Sequence, residues 1–288
     1  MRDREIDHVT GVETTGHEWD GIKELNKPLP RWWVWTFYVT ILWSIGYWIA
    51  YPAWPTLAGY TKGVFGYSQR NTVADDVRSA QASQAGIRGR LANTPLAQVK
   101  ADEDLLRFAM AGGAMAFQAN CAPCHGRGAQ GFAGYPNLND DDWMWGGTLE
   151  DIHKTILFGI RSDHNETRTG QMPRFGSDKL LSDPQIADVA EYVLSLTGKG
   201  GDAAAATRGQ KTFMDQCASC HGTDGRGKQE QGAPNLADPI WLYGGSRQAV
   251  VESIRTGRGA AMPAWATRLD PTTLKSLAIY VHSLGGGK

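Results

Sequence analysis

Cysteine is scarce in this 288-residue chain, with four residues against thirty-five glycines and eleven tryptophans. So few thiols exclude a disulfide-built scaffold at this length. Excess charge of either sign is lacking too: 29 Lys and Arg stand against 30 Asp and Glu, a net charge of −1. Without a basic balance the chain has no electrostatic footprint for nucleic acid, and that class of partner is excluded. A hydrophobic content of 41% is too high for a disordered chain.

One stretch has no charge at all. From Trp32 to Tyr51 twenty residues, WWVWTFYVTILWSIGYWIAY, carry none, and six of the eleven tryptophans lie between Trp32 and Trp54. About twenty helical residues span a bilayer core, and aromatics crowded toward both ends match membrane-interface belts. One transmembrane helix over 32–51 is expected, with a buried core helix as the alternative. The 31 residues before it hold seven acids, unlike the short basic start of a cleavable signal peptide, so the helix is expected to stay attached. Lys23, Lys27 and Arg31 before it, against Lys62 and Arg70 after it, lean only slightly toward a cytoplasmic N-terminus. Residues 52–106 follow as a spacer. Val73, Val77, Ile87 and Leu91 suit a modest amphipathic helix there, which is expected to be a spacer or a docking helix, with a solvated connector as the alternative.

The rest of the chain is an internal repeat. Cys121-Ala-Pro-Cys124-His125-Gly126 returns as Cys217-Ala-Ser-Cys220-His221-Gly222, each preceded by a glycine and a phenylalanine at the same offsets (Gly113 and Phe117, Gly209 and Phe213). Pro136-Asn137-Leu138 returns as Pro234-Asn235-Leu236, Trp143-Met144-Trp145-Gly146-Gly147 as Trp241-Leu242-Tyr243-Gly244-Gly245, and Met172-Pro173 as Met262-Pro263. The copies run over 107–198 and 207–288, joined by a small-residue linker at 199–206. Ile186, Val189, Ala190 and Val193, then Leu274, Leu277, Ala278 and Val281, repeat at i, i+3, i+4, i+7 and mark two closing helices. The fold expected is all-α, in two tandem domains small enough to depend on a bound group.

Cys-x-x-Cys-His is the attachment signature of c-type haem, in which two thiols add to the vinyl groups and the adjacent imidazole binds iron. A thioredoxin-like pair is disfavoured by the following histidines and the lack of a βαβ pattern. Zinc on four thiolates is disfavoured by the wide separation and the duplicated surroundings. Two covalently bound haems are expected, one per domain, using Cys121, Cys124, Cys217 and Cys220, with His125 and His221 on iron. Met172, 47 residues after His125, and Met262, 41 after His221, each before a closing helix, are the expected sixth ligands of their own copies' haems. Such His/Met pairs suit electron transfer, and no catalytic residue is expected. Copy one has about eight extra residues between Gly159 and Met172, and His164 within them is a competing ligand or a surface loop residue. Trp143 and Trp241 are candidates for the haem edge or a propionate, or for core filling. Residues 107–198 carry seven Lys and Arg against eleven Asp and Glu, and 207–288 carry ten against six. An acidic first domain and a basic second one would steer different partners, the first receiving electrons from a basic soluble cytochrome.

Both copies resemble class I cytochromes c, and the resemblance implies that the carbonyls of Pro136 and Pro234 receive the imidazole N–H. The entry Asp20-Gly-Ile-Lys-Glu-Leu-Asn-Lys-Pro-Leu-Pro-Arg-Trp32-Trp33, one aromatic span, Tyr51-Pro52 and two Cys-x-x-Cys-His domains with Met-Pro loops are together similar to the di-haem subunit of cbb3-type cytochrome c oxidases, CcoP or FixP. That resemblance covers nearly the whole chain. It implies a single-pass subunit of the bacterial inner membrane with residues 1–31 cytoplasmic and the haem domains periplasmic. It also implies electron relay from a donor cytochrome c, through both haems, to a mono-haem subunit and then to the oxygen-reducing haem–copper subunit in aerobic or microaerobic respiration. The rival readings are a di-haem carrier serving a dehydrogenase or reductase, and a di-haem peroxidase.

Overall fold

The computed structural model describes residues 5–286. Its chain divides into two compact units, 1–83 and 84–288. In the first, strands β1 (Thr14–Trp19) and β2 (Ile22–Leu25) form an antiparallel hairpin. Asp20 and Gly21 turn it with φ of 50° and 83°, the paired left-handed geometry that Asp-Gly favours. The sequence reading anticipated no element here. Helix α1 (Arg31–Ala50) follows, and none of its residues is buried. A second small hairpin, β3 (Pro55–Thr56) with β4 (Gly59–Tyr60), returns the chain to the helix end, where Val64 and Phe65 amides donate to Ile49 and Ala50 carbonyls at 2.9 and 3.1 Å. Those bonds satisfy helix-terminal acceptors. By mean hydropathy, no helix among the described residues is long and apolar enough to cross a membrane. Seven of the twenty residues of α1 are tryptophan or tyrosine, residues suited to interfaces rather than to the hydrocarbon centre.

Helix α2 (Gln69–Asn93) leads into the second unit, which continues with α3 (Leu96–Val99), α4 (Glu103–Asn120), α5 (Ala122–His125), α6 (Leu149–Phe158), α7 (Asp183–Ser195), α8 (Ala203–Gln216), α9 (Ala218–His221), α10 (Arg247–Thr256) and α11 (Pro271–His282). Their starts are written in the sequence. Asp102, Thr148, Asp202, Ser246 and Asp270 each accept a backbone N–H from the first turn that follows, satisfying orphan donors.

The copies do not close on themselves. Opening helix α4 of copy one packs on α11, the closing helix of copy two, while copy one's closing helix α7 packs on copy two's opening helix α8. Two cores result. The first gathers Leu105, Phe117, Ile152, Leu277 and Ile279 around α4, α6 and α11; the second gathers Phe175, Ile186, Val193, Phe213 and Ile254 around α7, α8 and α10. Two tandem domains bounded at 107–198 and 207–288 were expected; the lobes instead exchange their closing segments. A physical reason lies in the linker. Between Ser195 and Ala203 the chain has only seven residues, and consecutive helices on so short a connection pack as neighbours. Glu191, 1% exposed, fixes that turn: its carboxylate accepts the Gly201 and Asp202 amides at 3.0 and 3.1 Å and pairs with Arg247.

Exchange rewrites the charge balance. Residues 107–160 with 261–286 hold five Lys and Arg against six Asp and Glu, and 161–260 hold twelve against twelve. Neither lobe carries more than one net charge, so the net-charge contrast of the sequence copies does not carry over to the lobes. Of the two expectations for the spacer, the C-terminal end of α2 fits a docking helix rather than a solvated connector. Leu91 and Val99 are fully buried in the first core, Lys275 of α11 donates to the Leu91, Ala92 and Thr94 carbonyls, and Arg88 pairs with Asp270 at 2.7 Å.

Close helix crossings require Gly113 and Gly209. A Cβ at Gly113 would stand 2.3 Å from the Ser276 carbonyl oxygen, and one at Gly209 would stand 2.0 Å from that of Asp188. Gly113→Ala or Gly209→Ala is expected to cost about 2–3 kcal/mol by overpacking, read from urea unfolding of the full chain. A second expectation concerns Asp142, whose carboxyl burial and the nearby Asp238 and Asp140 push up to about 6 from 3.8. The fold therefore favours its protonated form, and stability falls as pH rises from about 4 to 6. Asp142→Asn should raise the unfolding free energy above pH 6 by about 1 kcal/mol after allowing for partial exposure, read as a higher melting temperature, with no gain at pH 4.

Candidate haem sites

Each Cys-x-x-Cys-His segment forms one short helical turn at the end of an opening helix. Cys121 N–H donates to Phe117 O and His125 N–H to Cys121 O at 2.8 and 2.9 Å; Cys217 and His221 repeat both bonds at the same lengths. The turn stops at Gly126 and Gly222, whose φ values of 82° and 78° suit glycine. Burial pushes the Cys121 and Cys217 thiols up to about 11. Cys124 is exposed and Cys220 partly so, and no cysteine is paired with another. Among the described residues no three His, Cys, Asp or Glu side chains gather into a metal-holding group, so the four thiols form two separate pairs rather than one zinc cluster.

The histidines are oriented by backbone. Nδ1 of His125 lies 3.1 Å from the Pro136 carbonyl and Nδ1 of His221 lies 3.1 Å from that of Pro234. A carbonyl only accepts, so Nδ1 carries the proton and Nε2 keeps its lone pair for a metal. Burial holds both imidazoles below the usual histidine range, keeping them neutral as ligation requires. The carrying loops match as well: Gly131 and Gly227 amides return to the His125 and His221 carbonyls at 2.8 and 2.7 Å.

The methionines follow the exchange. Met262 packs on the core that contains Cys121, and Met172 packs on the core that contains Cys217. Ile160 and Met262 exchange both backbone bonds at 2.9 Å, and Met172 N–H donates to Arg258 O at 3.1 Å. Glycines at the ends of α6 and α10 admit these strands: a Cβ on Gly159 would meet Met262 O at 2.4 Å, and one on Gly257 would meet Met172 O at 2.6 Å. Repeat order pairs Met172 with His125 and Met262 with His221; in the structure each methionine packs instead on the core of the other copy's cysteine pair.

The tryptophans differ. Trp143 Nε1–H donates to Gly286 O, whereas Trp241 Nε1–H is buried without an acceptor among the described residues. Such an orphan donor calls for a partner, and a haem propionate is one of the right chemistry. Orphan donor, metal-ready Nε2 atoms and paired thiols together fit haem c. His164 lies in its own loop against Phe158, ring centroids 4.7 Å apart, with Nδ1 accepting the Glu166 amide at 3.1 Å. That position makes it a loop-building residue.

Known proteins resemble the chain along its whole length. Residues 11–58 match the N-terminal domain of cytochrome oxidase-cbb3, FixP, and residues 108–193 and 204–281 match cytochrome c oxidase, cbb3-type, subunit III. A cbb3-type cytochrome c oxidase subunit FixP from Bradyrhizobium diazoefficiens is 55% identical over 99% of this chain and 98% of its own. FixP of Bradyrhizobium sp. (strain ORS 278) is 54% identical over the same shares, and CcoP of Cereibacter sphaeroides is 52% identical over 96% of this chain and 95% of its own. With two Cys-x-x-Cys-His turns carrying neutral, carbonyl-oriented histidines, the chain belongs to the FixP/CcoP family, the c-type cytochrome electron-transfer subunit of cbb3-type cytochrome c oxidase.

Proposed function

We propose that the chain holds two haems whose axial ligands are exchanged between the copies. Cys121, Cys124, His125 and Met262 would hold one haem, and Cys217, Cys220, His221 and Met172 would hold the other. The observation that carries this reading is the packing of each methionine in the core of the other copy's cysteine pair. Haem bound there supplies a one-electron ferric/ferrous couple, raised in potential by His/Met ligation. The protein's part is to orient. Pro136 and Pro234 hold the histidine tautomers, Trp241 offers a donor suited to a propionate, and the closing segments bring Met262 and Met172 to the two sites, where a thioether would keep water and oxygen off a bound iron. Filled sixth positions favour a relay over a peroxidase.

Within the oxidase the chain would pass electrons from a donor cytochrome c toward the mono-haem subunit and the haem–copper catalytic subunit. Helix α1 would lie in the bilayer of the bacterial inner membrane, with 1–31 cytoplasmic and the haem lobes periplasmic. Its large apolar residues are exposed around the whole helix, Trp32 and Trp35 each at 70% and Leu42 at 69%, and an all-round apolar helix needs an apolar surrounding. Tyr47, Tyr51, Phe65 and Tyr67 form an aromatic cluster at its C-terminal end, with centroids 4.8–5.7 Å apart, suited to a headgroup layer.

Two outcomes check these readings. In a Cys121→Ala/Cys124→Ala chain that keeps a single haem, Met172→His should convert the visible and near-infrared spectrum from His/Met to His/His. Met262→His should leave it unchanged; the reverse pattern would mean that each copy ligates its own haem. Alkaline carbonate washing should leave the full chain in the membrane pellet and release a chain lacking residues 32–51.

A further inference from the structure

Trp145 and Tyr243 are equivalent positions in the repeat, and each ring reaches out of its own copy. Trp145 is 8% exposed and is wedged between two glycines. A Cβ on Gly232 would come within 2.1 Å of its ring, and one on Gly170 within 3.0 Å. Gly232 is two residues before Pro234, whose carbonyl orients His221; Gly170 is two residues before Met172. Arg168, four residues before the same methionine, covers the ring at 5.3 Å from its centroid. The two glycines that hold the Trp145 ring therefore lead to His221 and Met172, and Arg168 caps it while anchored to Asp151 and Thr155 of α6, although Trp145 itself comes from the loop that follows His125.

Tyr243 mirrors this arrangement. Its ring lies 3.4 Å from where a Cβ on Gly134 would stand, and Gly134 is two residues before Pro136, the acceptor for His125. The Gly134 amide donates to Leu242 O at 2.9 Å, fixing the two loops together. Arg258, four residues before Met262, covers the Tyr243 ring at 4.2 Å.

We propose that Trp145 and Tyr243 are crosswise positioning residues: Trp145 sets the His221/Met172 site and Tyr243 sets the His125/Met262 site. Each ring fixes the loop bearing the proximal carbonyl and the strand bearing the methionine, and so controls the Nδ1–H···O=C bond. A firm bond makes the imidazole a stronger donor to iron and lowers the potential; a slack one raises it. Through these rings each lobe's packing tunes the other lobe's potential. The inference rests on the exchanged-ligand reading given above.

The test is an EPR-monitored redox titration of the full chain in detergent, with the His221-site signal identified by Met172→His. Trp145→Leu should raise the midpoint potential of that signal more than that of the other, and Trp145→Phe should restore it. Tyr243→Leu should do the same to the His125 site, with rescue by Tyr243→Phe. Because Tyr243 is only partly buried, its variants keep the test decisive if Trp145→Leu fails to fold. Equal shifts at both sites, or a larger shift at the site of the substituted copy, would overturn the proposal. If Met172→His moves only the signal lost in Cys121→Ala/Cys124→Ala, the ligand reading itself fails, and the inference falls with it.

Discussion

Everything in the haem region depends on how α7 meets α8. Seven residues separate these helices, and Glu191 ties the connection down with two amide bonds and Arg247. Glu191 is buried while Arg247 is more than half exposed, so the carboxylate depends chiefly on its two amide bonds, and a buried carboxylate stripped of partners is costly. Once α7 is committed to α8, copy one has no closing helix of its own, and α11 takes that place on α4. Copy two has buried Ile279 where copy one has Glu191, consistent with a single polar clamp located at the connection between the copies.

The exchanged helices recreate the same joint twice. Phe117 meets Tyr280 at 5.5 Å and Phe213 meets Tyr192 at 5.0 Å, with nearly equal tilts of 53° and 55°. Aromatic pairs in this geometry add to burial energy. Because both joints follow one pattern, either pairing of opening and closing helices would satisfy the hydrophobic periodicity, and the choice falls to the connection.

Much of the site was legible from sequence because it depends on local spacing. The Cys-x-x-Cys-His turns recur with identical spacing, the prolines and methionines recur in the same order after them, the carbonyl role of the prolines is what the resemblance to class I cytochromes c implies, and the helix starts follow from capping residues such as Asp102 and Asp270. What the repeat could not convey was partnership. A period shows that Met172 and Met262 are equivalent, and equivalence is blind to which core each one enters. The charge asymmetry of the copies dissolved for the same reason: sequence order was taken for spatial order. Trp241's orphan donor and the crosswise reach of Trp145 depend on tertiary placement alone. Leu91 and Val99 read as docking helix or connector alike because a short amphipathic stretch does not announce what it packs against.

Exchange also imposes an order on biosynthesis. Lobe two is contiguous in the chain, so its helices can assemble as soon as they emerge. Lobe one must wait for α11, which is made last, while its cysteines at 121 and 124 are made early. In that interval α4 lacks α11, its main packing partner, and the first Cys-x-x-Cys-His segment is made before its lobe can close. Contacts between such distant segments also form slowly. A nascent chain cut short near its C-terminus would therefore lose the lobe built on its earlier haem motif and keep the one built on its later motif.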